Sequence, residues 1–158
     1  MKPSRLCFLH STTVLRELNV TELLDAIGER TPAPASGAAT ALTAALAAAL
    51  AELSARYAGD EEDAQRAHAL ATELVELGDA DAAAYGAFMA DRNEQTRAAI
   101  VRIPEEIARL ADEAVAIASR ATDQLSPSVA GDARAAAELG RAAAAVARGL
   151  AELNRAGS

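Results

Sequence analysis

Two short stretches hold the residues that could do chemistry. The first is "GDADAAAYGAF", Gly78 to Phe88, which sets Asp79 and Asp81 two positions apart. On a helix that spacing sends the two carboxyls to different sides. One reading is structural: Asp79 caps a helix start and Asp81 favours its N-terminal dipole. The other is chemical: Asp81 is buried beside Tyr85, one turn on. Removal from water would raise its pKa and make it a general acid or base near neutrality.

The second stretch is "TPAPASGAAT", Thr31 to Thr40. Its prolines fix φ and discourage helix, and Ser36 can cap the alanine-rich segment that follows. As a linker, that accounts for most of it. A binding role adds one thing: Gly37 would let a ligand approach the bare N–H groups of the helix start, with Pro34 and Ser36 shaping the way in.

Other chemistries find little support. His10 and His68 are far apart and neither has metal-ligand spacing, so no metal is expected. Cys7 stands alone, which excludes an intramolecular disulfide and fits a reducing cytoplasm. There is no phosphate-binding glycine loop of the Walker or dinucleotide type. The net charge is −8, with 15 basic residues, of which only Lys2 is a lysine. No basic stripe follows a helix face, which speaks against nucleic acid. The apolar part of "MKPSRLCFLH" is too short for a secretory signal. The alanine-rich run at 38–51 reads as a buried helix and not a membrane span.

The elements that must position these residues are all helical. Alanine is by far the commonest residue and the best helix former, and aromatics are only 3%. The chain length suits one domain, with 1–18 as an N-terminal arm or tail and 19–158 as an up-and-down bundle of five to six helices. Asn19 and Glu22 make a capping box for the first helix, with Leu23, Leu24 and Ile27 as its apolar face. The second helix, 38–57, ends at Gly59 and carries Leu42, Leu46, Ala49, Leu53 and Tyr57 inward. The third spans 61–77, with Gly78-Asp79 as a break or bend, and the fourth 80–91. The fifth, 96–124, contains Pro104 and must kink or restart there. The sixth, 130–154, turns Leu139, Ala143, Val146, Leu150 and Leu153 inward near a seven-residue repeat. Cores built from alanine bury little area, at roughly 25 cal/mol per Å2. A homodimer is expected to supply the difference.

Taken in order, these segments resemble the cyclodeaminase family. It comprises the cyclodeaminase domain of formiminotransferase-cyclodeaminase and the related bacterial methenyltetrahydrofolate cyclohydrolases. "NVTELLDAIGERT", "PAPASGA" and "ATALTAALAAALAEL" stand where the family has an acidic helix, a Pro-x-Pro-Gly-Gly-Gly-Ser loop and an alanine-rich helix. "DADAAAY" matches its Asp-Ala-Asp-Ala-x-Ala-aromatic motif. "RIPEEIARLADEA" shares a proline inside a later helix, and Asn154 stands near the family's closing asparagine. The resemblance implies an all-helical dimer with a site between helices for a tetrahydrofolate derivative, and deamination of the formimino adduct or hydrolysis of the methenyl adduct. No resident cofactor, nucleic acid or membrane is implied. It implies Asp81 as proton donor, and a ligand lined by Pro34, Ser36, Gly37 and Tyr85. Three glycines of the family loop are here Ala35-Ser36-Gly37, whose added Cβ atoms narrow ligand approach. The family's Arg-Leu-Pro-Lys segment is absent, and with it a lysine to meet a glutamate tail. Asp132 follows glycine where the family has Ser-Asp. The alternative reading is a helical dimer that kept the fold, lost the reaction, and binds another small molecule or a protein.

Overall fold

The computed structural model describes residues 14–157. Five α-helices follow a 3-10 turn at Leu15–Glu17: α1 Val20–Gly28, α2 Ser36–Ala58, α3 Glu61–Ala90, α4 Glu94–Gln124 and α5 Gly131–Ala156. There is no strand among the described residues. The fold is all-α, and α2 to α5 form an antiparallel four-helix bundle. The order follows from the connections: α2, α3 and α4 are joined by two or three residues, too few for anything but a reversal.

The turns are built as local chemistry dictates. Asn19 and Glu22 form the expected capping box, as do Asn93 and Thr96 at the start of α4. Gly59 ends α2 in the left-handed region, φ 78°, where a side chain would be strained. Asp60 then caps α3 through the N–H of Asp63, at 3.0 Å.

The core is alanine where the helices cross. Ala41, Ala44, Ala48, Ala51 and Ala55 of α2 face Ala64, Ala67, Leu70 and Leu74 of α3, all fully or almost fully buried. From α4 come Ile103, Ile107, Leu110, Ala114 and Ile117, and from α5 Ala136, Ala143, Ala144 and Ala147. Bidentate pairs tie α3 to α4 at the surface: Arg66 to Glu113 at 2.6 and 2.9 Å, and Arg120 to Asp63 at 2.6 and 2.8 Å. Arg148 with Asp112, and Arg155 with Glu105, tie α4 to α5. Each exposed pair contributes about 0.2–1 kcal/mol.

Several expectations are corrected. The leucine stripe of α2 faces outward: Leu46 is 64% exposed, and Leu53, Tyr57 and Ala49 are exposed as well. On α5, Leu139, Val146 and Leu153 are also exposed. Small side chains allow two helices to come closest, so the alanine faces take the crossings and the leucines are left outside. No residue of α1 is buried, and Leu24 points largely to solvent. The third and fourth expected helices are one, α3. Gly78 lies buried inside it, beside Ala41 and Ala38 of α2, and alanine-rich flanks carry the helix across. Likewise α4 does not restart at Pro104; it runs through it. Ser36 is the first residue of α2 and not its cap. Ala35 holds that position and offers no side-chain hydrogen bond.

Candidate functional site

The loop before α2, the last third of α3, the first third of α4 and the end of α5 meet around a cleft of about 200 Å3. Pro32, Ala33 and Ala35 bring the loop to its rim, and the Ala33–Pro34 bond is cis. Ser36 and Gly37 open α2 on the cleft. The first N–H groups of a helix have no partner within it, and no cap side chain covers them here. From α3 come Asp81 and Tyr85, on one face because they are four residues apart. Pro104 of α4 and Leu150, Leu153 and Asn154 of α5 complete the walls.

The carboxyl of Asp81 packs on the backbone of Gly37. A Cβ added at Gly37 would overlap all three carboxyl atoms, so only glycine permits this approach. No cation pairs with Asp81 among the described residues, and burial alone pushes its carboxyl from 3.8 up to about 6. An acid of that strength can hold a proton or release it close to neutral pH. Tyr85 continues into an aromatic ledge. Its ring lies 6.3 Å from that of Phe88, over which the Arg92 guanidinium sits at 5.4 Å.

Four of the five residues singled out in the sequence come together here: Asp81, Ser36, Gly37 and Tyr85. Pro34 does not line the cleft, although both its neighbours do. Asp79 departs from its expected role. Within the continuous α3 it caps nothing, and instead accepts the Leu15 N–H at 2.6 Å, with the Arg16 Nε 3.9 Å away. It therefore holds the 3-10 turn against α3. The contribution of Pro104, Leu150 and Leu153 to the walls was not legible in the sequence. Asn154 was visible only as a closing asparagine. The available signal was an unmatched carbonyl, because a proline inside a helix leaves the group four residues earlier without its donor.

Residues 19–157 match the family model described as formiminotransferase-cyclodeaminase. The chain belongs to the formiminotransferase-cyclodeaminase family. The fold agrees with this membership. The crystal structure of formiminotetrahydrofolate cyclodeaminase from Thermotoga maritima superposes with a TM-score of 0.83 at 21% identity. The match covers 90% of this chain and 80% of that one. Comparison with curated proteins gives no significant match. Within the family frame, the second aspartate of the "DADAAAY" motif and the glycine that survives in the loop are the two residues found in direct apposition. The residues matched by the family model begin at Asn19, the cap of α1.

Proposed function

We propose that the cleft binds the reacting end of a tetrahydrofolate derivative and that Asp81 is its general acid/base. One observation supports this above the rest. A carboxyl that pairs with no cation among the described residues is held partly out of water against the uncapped start of α2. The family membership supplies the substrate class. In the deamination, N10 of the folate attacks the carbon of the protonated formimino group and forms the new ring C–N bond, which leaves that carbon carrying an amino group. The protonated carboxyl of Asp81 gives its proton to the departing nitrogen as the old C–N bond breaks and ammonia leaves. The proton shed by N10 returns the carboxylate to its acid form. In the hydrolytic variant the same carboxylate takes a proton from water as it adds to the methenyl carbon. The open N–H groups of Ser36 and Gly37 favour electron-rich atoms at the helix start, and Tyr85 gives the ring a flat wall. Ligand pockets usually measure ~300–1,000 Å3. This smaller cleft suits the fused ring and leaves the glutamate end outside.

The test follows methenyltetrahydrofolate by its absorbance, with wild type and Asp81→Asn. Formation or loss of the signal by wild type only is the expected result, and equal rates would remove Asp81 as the proton donor. The binder-only reading draws on Ala35 and Ser36, whose side chains narrow the loop. It predicts a thermal shift with 5-formyltetrahydrofolate and no turnover.

The reading includes a cytoplasmic homodimer joined through the outward stripe of α2 and α5. These two helices run antiparallel, since the start of α2 and the end of α5 share the cleft. The exposed positions Leu46, Leu53 and Tyr57 and the half-buried Ala39, Leu42, Thr43 and Leu50 between and before them carry no charge. Nor do Leu139, Ala142, Val146, Leu150 and Leu153. At about 1.5 Å per residue and about 10 Å per helix, the face measures roughly 27 by 20 Å. With side-chain relief that is of the order of the ~800 Å2 per partner in a standard interface. Two copies of a chain at −8 repel, and an uncharged face is where they can meet. By length and composition α2 could also cross a membrane, but 56% of its apolar window is buried in the bundle.

A further inference from the structure

The helices α3 and α4 run on beyond the cleft to their turn at residues 91–93, whereas α2 starts and α5 ends beside it. On α3, Asp81, Tyr85 and Phe88 follow one another at spacings of four and three, so they share a face. Arg92 comes next, just past the helix end. Phe88 is half-buried and Arg92 exposed. The Arg92 guanidinium lies over the Phe88 ring at 5.4 Å and beside the Met89 sulfur at 3.9 Å. On α4, the half-buried Arg97 stands seven residues before Pro104. Two helical turns apart, the two share the face that lines the cleft, and Arg97 lies ~11 Å further toward the α3–α4 turn.

Elsewhere on these helices the arginines are engaged by acids: Arg66 by Glu113, Arg120 by Asp63, Arg148 by Asp112 and Arg155 by Glu105. Neither Arg92 nor Arg97 has an acid partner among the described residues. The nearby acids have other roles. Asp91 accepts from the Asn93 Nδ2 at 2.8 Å, Glu105 is held by Arg155, and Glu94 sits in the first turn of α4, where the helix dipole favours it. In a chain of net charge −8, two cations left without acids next to a cleft are suited to an anionic group from outside.

We propose that Arg92 and Arg97 bind the carboxylate tail of the ligand whose ring occupies the cleft, and that Phe88 is the positioning residue of Arg92. The proposal rests on the folate reading of the cleft. Beyond its ring a tetrahydrofolate carries an aryl amide and then a glutamate with two carboxylates, and a cleft of about 200 Å3 leaves them outside. The stiff aryl spacer carries the tail past Tyr85 toward the α3–α4 turn. A guanidinium lying on an aromatic face is oriented without being neutralised. Its edge N–H groups stay free for a bidentate bond to a carboxylate.

Calorimetric titration with two ligands tests this: 5-formyltetrahydrofolate, and 6-methyltetrahydropterin at millimolar concentration, which has the ring and no tail. Arg92→Ala and Arg97→Ala each weaken 5-formyltetrahydrofolate about tenfold, the worth of one charge-assisted hydrogen bond, and leave 6-methyltetrahydropterin unchanged. Phe88→Leu stays apolar but removes the ring beneath the guanidinium, and weakens only the tailed ligand, severalfold. Arg134→Ala, near the start of α5 at the far end of the bundle, changes neither. Added salt weakens the tailed ligand in wild type, and does so less in the two arginine variants. Wild-type affinity for the tailed ligand in either variant removes that arginine from the site, and in both it overturns the proposal. An equal loss for both ligands makes the arginines part of the cleft's fold and overturns it too. Wild-type affinity in Phe88→Leu overturns the positioning. If wild type binds neither pterin, the folate reading fails, and p-aminobenzoylglutamate at millimolar concentration, followed by NMR, judges the carboxylate site alone. Binding that disappears in both arginine variants sustains the site; binding that persists in them, or none in wild type, overturns it.

Discussion

Asp81 and Gly37 stand in direct apposition, and each has a consequence that can be measured. The Asp81 carboxyl keeps its proton to about pH 6 in the fold, against 3.8 ordinarily. Its stabilising effect is therefore complete below about pH 4 and is lost as pH rises through 6, where the fold must hold a charge that burial disfavours. At about 1.4 kcal/mol per unit, discounted for the part of the side chain that water reaches, ionised Asp81 costs about 1–2 kcal/mol. Asp81→Asn should thus raise stability at pH 8 by that amount and change little at pH 4, as read by urea denaturation, while abolishing turnover. An unchanged pH 8 midpoint would show that the carboxyl is well solvated. Gly37→Ala should do the opposite of a mild substitution. Its methyl group overlaps the carboxyl, so Asp81 must turn away or α2 must shift. The expected outcome is loss of folate binding, with a Tm fall worth about 1–3 kcal/mol of overpacking. A variant that binds as well as wild type would mean that the carboxyl moves freely.

At the level of elements, Gly78 is the informative case. It sits inside α3, and a Cβ there would meet Ala41 at 3.5 Å and the Ala38 carbonyl at 3.7 Å, ordinary contacts. Gly78→Ala should stabilise α3 by about 0.5–1 kcal/mol through helix propensity, measured by thermal melting. A loss would show that α2 and α3 cannot tolerate the methyl. The same glycine shows what the sequence could and could not reveal. The Asn19–Glu22 capping box and the Gly59 stop were legible because they are set by a few adjacent residues, whereas the box at Asn93 and Thr96 was not read. Also legible was the co-location of Asp81, Tyr85, Ser36 and Gly37, through the motif they share with the family. The fusion of two helices across Gly78 was not, since packing against Ala38 and Ala41 decides it. The direction of the α2 stripe was hidden for a related reason. Periodicity marks two faces of such a helix, one of leucine and one of alanine. Which one turns inward depends on how close its neighbours come. Asn154 escaped because its partner is a carbonyl on another helix, freed by a proline fifty residues earlier.

For the whole molecule, the proposed homodimer turns on the outward leucines of α2 and α5. Leu46→Glu with Val146→Glu places charge in the middle of the face, at positions that contribute little to the core of one copy. Sedimentation should give about twice 16.2 kDa for wild type and a single-chain mass for the double variant, with helicity kept. Met89→Glu, also exposed but off this face, serves as the control and should remain double. A wild type that sediments at single-chain mass at high concentration would dismiss the interface. Finally, the alanine-lined crossings predict how this chain can vary over time. A methyl group fills the gap where two helices touch, so enlargement at Ala41, Ala48 or Ala144 pushes axes apart and carries the displacement along rigid rods toward both ends. The cleft lies at one of those ends. Distant interior positions should therefore be as intolerant of growth as the residues that touch the ligand, and a saturation scan of activity would trace the bundle's contact lines along with the pocket.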